Sequence, residues 1–246
     1  MEDLSGKSVI ITGAAGGIGS ATARVLADKG VKLVLVDRSP GALDALAADL
    51  GTECLTLAAN VASEADMAAM AAQTLERFGA IDALVTCAAI LRGAGGMKTV
   101  AETSFEDWAQ IIDVNLTGTF LSNRAVLPAM LAAKRGDIVN LSSTSGKQGR
   151  AFDGPYSASK AGIVGLSEAL AEEVMRLGVR VQTLLPDAVD TGLWSQSGGT
   201  ALKPQNMLSP DRLGALIAYL LALPRDTYIL NQVVAPVPQR RKRGKG

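Results

Sequence analysis

Short apolar runs and amphipathic stretches alternate along the whole 246-residue chain. Val9–Thr12 is a β-branched run that opens into a glycine-rich turn, and a helix-like stretch follows to about Lys29, where Gly30 ends it. The unit recurs. Val31–Val36, Cys54–Leu57, Ala83–Cys87, Asp137–Leu141, Val179–Leu185 and Gln232–Ala235 read as further strands. Ala42–Leu50, Glu64–Phe78, Phe105 to about Ala133, Tyr156–Leu177 and Pro210–Leu223 read as helices, with Pro128 expected to kink the long one. Several strands are apolar throughout, as in a sheet covered on both faces. Strand–helix alternation with right-handed crossovers predicts an α/β protein built on a doubly wound parallel sheet of about seven strands. No linker, composition break or repeat divides residues 1–239, so one domain is expected. Gly192–Ser209 breaks the rhythm: it is polar, contains Gly and Ser and is long for a connection, which makes it a candidate lid.

Charge changes the picture only at the C-terminus. Acidic and basic residues balance overall, yet residues 240–246 hold five basic side chains, so the rest carries an acidic excess of five. That body is a poor nucleic-acid surface, and the tail reads as a solvated, disordered end. No apolar run reaches the roughly 18 residues of a membrane span, and Glu2 and Asp3 stand where a secretory signal would be basic. A cytoplasmic setting without membrane or nucleic-acid partners is the expectation. Two cysteines are too few for a disulfide framework.

The chain contains no histidine. Ser-His-Asp, Cys-His and His-ligated metal chemistry are therefore excluded, and no metal site is expected. Proton transfer falls to Tyr, Lys, Asp, Glu or Cys.

The turn Gly13-Ala-Ala-Gly-Gly-Ile-Gly19 lies between the first strand and first helix. Glycines there permit a tight turn, close approach of a pyrophosphate and close helix–strand packing, and the helix N-terminus offers free N–H groups. A Walker-type loop is not indicated, because no Gly-Lys-Ser/Thr follows. Asp37 ends the second strand, where a carboxylate accepts from a ribose 2′-hydroxyl and repels a 2′-phosphate. This favours NAD over NADP, with Arg38 as the complicating cation.

Tyr156 and Lys160 lie four residues apart on a predicted helix and share a face. Tyrosine is a poor base at its ordinary pKa near 10. An ammonium beside it favours the phenolate, so Lys160, with a cationic nicotinamide, is expected to lower the Tyr156 pKa. Ser143 ends the fifth strand and is placed to hold a substrate oxygen; Asn115, in the long helix, is a buried amide expected to position a water near Lys160. Ser157-Ala-Ser-Lys160 also fits the S-x-x-K of serine acyl enzymes, but their Lys-Thr-Gly partner is missing.

These features, in this order, resemble the short-chain dehydrogenase/reductase family in its single-domain branch, over nearly all of residues 5–235. The resemblance implies a Rossmann fold and a catalytic tetrad of Asn115, Ser143, Tyr156 and Lys160. It implies dinucleotide contacts from Gly13, Ala15, Gly16, Gly17, Ile18, Gly19, Asp37, Arg38, Asn60, Val61, Cys87, Ala88, Ala89, Tyr156, Lys160, Pro186, Val189 and Thr191. It further implies NAD-dependent interconversion of a small-molecule secondary alcohol and ketone, in a homotetramer or homodimer. A 3-oxoacyl-[acyl-carrier-protein] reductase-like enzyme and a non-catalytic dinucleotide-binding regulator are the alternatives. Three departures stand out. Thr86-Cys87-Ala88-Ala89 replaces the usual Asn-Asn-Ala-Gly and loses a sheet-bracing amide. Asp187 replaces the glycine after Pro186, and Asn60 replaces the commoner Asp. Cys87 reads as a small packed residue rather than a reactive thiol. Leu91, Met97, Phe152, Leu193 and Trp194 are candidates either for an apolar substrate wall or for ordinary packing.

Overall fold

The computed structural model describes residues 1–93, 96–195 and 204–237; the basic tail lies outside them. Seven strands form one sheet: β1 (Ser8–Thr12), β2 (Lys32–Asp37), β3 (Cys54–Ala58), β4 (Ala83–Thr86), β5 (Gly136–Leu141), β6 (Val179–Pro186) and β7 (Gln232–Val234). Their order is β3-β2-β1-β4-β5-β6-β7, and every pairing is parallel. The order reverses between β1 and β4, which opens a crevice beyond the carboxyl ends of these strands.

Alternate residues of each strand feed two cores. Val9 and Ile11 of β1 pack with Leu33, Leu35, Val85 and Val139 under α1 (Gly17–Ala27), α2 (Pro40–Leu50) and α7 (Pro210–Leu221). Ile10 points the other way, with Val34, Leu84 and Ile138, under α3 (Glu64–Phe78), α5 (Gly118–Ala132) and α6 (Gly154–Val174). The inner strands are buried along their length, which is why they read as unbroken apolar runs.

The long helical stretch is not uniform. α4 (Phe105–Ile112) passes through a π-helical turn, Asp113–Thr117, into α5, which continues as helix beyond Pro128 to Ala132. A π-helical irregularity thus falls at Asn115, where such a turn inserts one residue without ending the helix. Pro186 is the last residue of β6, opposite Val234, and Asp187 N–H continues the ladder to the Val234 carbonyl at 2.8 Å.

Thr86, at the end of β4, answers for the missing amide. Its hydroxyl donates to Asn140 Oδ1 at 2.9 Å, and Asn140 Nδ2 donates to Ser167 Oγ at 3.0 Å. The brace between β4, β5 and α6 is built from other residues instead of being lost.

Candidate active site

The glycine turn is shaped by steric necessity. Gly13 has φ +67°, and a Cβ there would fall 2.5 Å from the amide nitrogen of Ala88. A Cβ on Gly19 would fall 2.2 Å from the Gly13 carbonyl oxygen. Both contacts are with backbone: Gly13 keys the first turn to the turn after β4, and Gly19 lets the helix start close onto the turn itself. Gly16 stands at the head of α1 and supplies no side-chain cap, which leaves the first N–H groups of the helix for a ligand.

Asp37 braces the same turn: Oδ2 accepts from the Ala15 N–H at 3.1 Å and Oδ1 from the Arg38 N–H at 2.7 Å. The register sets Asp37 opposite Ala58 at the carboxyl edge of the sheet. Asn60, just beyond, accepts from the Ala62 N–H through Oδ1, and Val61 is buried against Gly118.

The turn floors a cleft of about 740 Å³. Of the dinucleotide residues expected from the sequence, Gly13, Ala15, Gly16, Gly17, Ile18, Gly19, Cys87, Ala89, Pro186, Val189 and Thr191 line it. Asp37, Arg38, Asn60, Val61 and Ala88 do not border this cleft. Ser143, Tyr156 and Lys160 face it. Residues from the carboxyl ends of β1, β4, β5 and β6 and from the start of α6 therefore meet in one place. Of the proposed lid, Leu193, Trp194, Pro204 and Asn206 border the cleft, and Leu208 bonds back to Ala188 and Asp190; residues 196–203 lie outside the described residues.

Tyr156 and Lys160 are both buried, 8% and 3% exposed. The Ser143 hydroxyl is a hydrogen-bond partner of the Tyr156 hydroxyl. Lys160 Nζ donates to the Leu141 carbonyl at 2.8 Å and lies 5.6 Å from the centre of the tyrosine ring. The expected lowering of the Tyr156 pKa is not found in this structure. Burial pushes it up to about 12 and the nearby Asp153 charge adds to the rise, while only the Ser143 hydrogen bond opposes. Lys160 is itself driven down to about 8 by burial. Burial is the largest cause, and the Lys160 ammonium is not among those that oppose it.

Asn115 lies behind the cleft, fully buried. Its Oδ1 accepts from the Ile90 N–H at 2.8 Å, and its Nδ2 donates to the Ile90 carbonyl at 2.9 Å and to Ser159 Oγ at 3.0 Å. Ser159 donates in turn to the Tyr156 carbonyl at 2.7 Å. Its side chain is thus a clamp across three segments, with no donor left for the water expected near Lys160. Ser159 was legible only as part of the Tyr156-x-x-x-Lys160 motif. Burial pushes the Cys87 thiol up to about 12, in keeping with an unreactive packed residue.

Leu91, Leu193 and Trp194 pack with Tyr156 and form the apolar wall, whereas Met97 and Phe152 are exposed and do not border the cleft. Arg150 and Asp153 also line it. Among the described residues no cluster of metal-ligating side chains occurs, and no helix is long and apolar enough to cross a membrane.

Comparison with known proteins agrees with this geometry. The short chain dehydrogenase family model matches residues 7–200. D-threitol dehydrogenase of Mycolicibacterium smegmatis is 38% identical over 88% of this chain and 86% of its own. The 3-oxoacyl-[acyl-carrier-protein] reductase of Synechocystis sp. is 34% identical over 94% and 96%. The crystal structure of NAD+-bound xylitol dehydrogenase superposes with a TM-score of 0.86 at 25% identity, covering 96% of this chain and all of that one. The chain belongs to the short-chain dehydrogenase family, whose members are oxidoreductases that bind a nicotinamide dinucleotide.

Proposed function

We propose that this enzyme is an NAD(H)-dependent oxidoreductase that interconverts a secondary alcohol and a ketone, with Tyr156 as general acid/base. The observation that carries the reading is the Ser143–Tyr156 hydroxyl pair, facing the cleft above the glycine turn.

The residues present fit a dinucleotide. The uncapped head of α1 and the narrow glycine turn suit a pyrophosphate. Asp37 supplies a carboxylate for a ribose 2′-hydroxyl and repels a 2′-phosphate, which supports NAD over NADP. Val189 and Thr191 also line the cleft and are assigned to the nicotinamide end. A dinucleotide held there would supply, in its oxidised form, the acceptor for the hydride of the carbinol carbon. Ser143 holds the carbinol oxygen, and Tyr156 takes its proton as the carbonyl forms; reduction runs the same steps backward. With its pKa at about 12, Tyr156 is a phenol in this structure and requires added positive charge to act as base. Lys160 lies on the same helix face, 5.6 Å from the tyrosine ring, and a bound oxidised nicotinamide would supply the added charge. Asn115 keeps α6 in register by holding Ser159 beneath Tyr156.

The test is Tyr156→Phe. Turnover of secondary alcohols with NAD+ is expected to fall by at least roughly a hundredfold, the usual worth of a positioned acid/base, while NADH binding persists. Retained turnover overturns the assignment.

A further inference from the structure

Beyond Ser143 and Tyr156 the cleft wall is charged. Asp187 follows Pro186 at the end of β6, and its Oδ1 accepts from Thr144 Oγ1 at 3.0 Å. Thr144 is the residue after Ser143, and both line the cleft together with Asp187 and Tyr156. Arg150, on the segment between β5 and α6, holds Nη2 3.8 Å from the same Oδ1. Among the described residues, Asp187 Oδ2 takes no partner. Asp153, which pairs with Arg92, also lines the cleft.

The charged groups lining the cleft, Arg150 and Lys160 against Asp153 and Asp187, balance. A separation of 3.8 Å is too long for a direct hydrogen bond, so the Asp187–Arg150 pair is not closed on itself. An anionic substituent would satisfy Arg150 and be repelled by Asp187. A hydrocarbon would strip water from the Asp187 carboxylate and return nothing, which is costly. A hydroxyl both donates and accepts, so one such group can give its proton to Asp187 and take an N–H from Arg150.

We infer that Asp187 and Arg150 hold a second hydroxyl of the substrate, next to the carbon that reacts at Tyr156, so that the substrate is a neutral vicinal diol or polyol. The inference rests on the reading of Tyr156 as acid/base for a secondary alcohol.

Initial rates of NAD+ reduction with 2-butanol against 2,3-butanediol, and cyclohexanol against 1,2-cyclohexanediol, test it. In the wild type kcat/KM for the diol is expected to exceed that for the matching alcohol by roughly a hundredfold or more, as for a site built around a substrate hydroxyl. In Asp187→Ala that ratio is expected to fall below roughly tenfold, and Thr144→Val, which frees the carboxylate, to lower it in the same direction. NADH binding identifies folded variants. A wild-type ratio near one, or a ratio unchanged in both variants, overturns the hydroxyl site while alcohol oxidation stands. Faster oxidation of 3-hydroxybutyrate than of either diol overturns it in favour of an anion. No turnover of any of the five alcohols overturns it together with the proposed function.

Discussion

Lys160 and Leu141 are joined by a hydrogen bond of 2.8 Å from the side-chain ammonium to the main-chain carbonyl. This ties α6 to the end of β5 and keeps a cation in the interior without a carboxylate partner. The arrangement costs stability whenever the ammonium is charged, and pH reveals the cost.

Burial lowers Lys160 from its ordinary 10.5 to about 8. Above that value the unfolded chain still binds a proton that the folded chain has released, so this group's contribution to stability rises with pH from about 8 to 10.5. Tyr156 acts in the opposite sense. Its rise from 10 to about 12 means that the folded chain keeps a proton the unfolded chain has lost, so stability falls across that window. Urea denaturation of wild type and Lys160→Met is expected to give a stability difference that moves in favour of the wild type between pH 8 and 10. A difference independent of pH contradicts the burial of the charge.

The glycine turn predicts a contrast between two substitutions. Gly13→Ala forces a Cβ against the Ala88 backbone at a positive φ and is expected to cost about 2–4 kcal/mol. Gly41, in the first turn of α2, has nothing within 4 Å of its virtual Cβ. Gly41→Ala is expected to be neutral or stabilising by up to about 1 kcal/mol. Thermal or urea midpoints of the two variants check the pair.

Thr86→Val removes the donor to Asn140 Oδ1 and leaves that buried oxygen without its partner. A loss of about 1–3 kcal/mol is expected. Thr86→Ser, which keeps the hydroxyl, is expected to retain most of the stability by the same measurement. Equal losses would assign the position to packing alone.

Cofactor choice is expected to depend on Asp37. Asp37→Ala removes a carboxylate that would repel a 2′-phosphate and that also steadies the Ala15 N–H. NADH affinity is expected to fall by roughly tenfold, the scale of one charge-assisted hydrogen bond, while NADPH affinity rises. Fluorescence titration with both nucleotides reads the change. Unaltered preference would remove Asp37 from cofactor selection.

The sheet and its helices were legible because their signals are local. Strands buried on both faces appear as apolar runs, and Gly13 and Gly19 are needed by the backbone whatever the ligand. Tyr156, Lys160 and Ser143 were legible as well, from one helix face and one strand end. What escaped the sequence depends on contacts distant along the chain. Thr86 counted as a lost brace because Asn140 and Ser167, its partners, lie 54 and 27 positions along in turn. The rise in the Tyr156 pKa was hidden because a spacing of four residues places Lys160 on the right face but does not reveal how deeply the tyrosine is buried. The π-helical turn at Asn115 was hidden because apolar periodicity continues on both sides of it. Arg150 and Asp187 come from separate segments, and only the fold makes them neighbours.

That turn has a consequence for how the protein tolerates insertions and deletions. One surplus residue between α4 and α5 offsets the two helices by about 100° of rotation, the angle of a single residue in an α-helix. Deleting one residue from 113–117 would leave a smooth, well-formed helix, and nothing in its composition would betray the change. Yet α4 would be turned relative to α5, Asn115 would leave Ile90 and Ser159, and the support beneath Tyr156 would be gone. At this point in the chain, regularity itself would be the lesion.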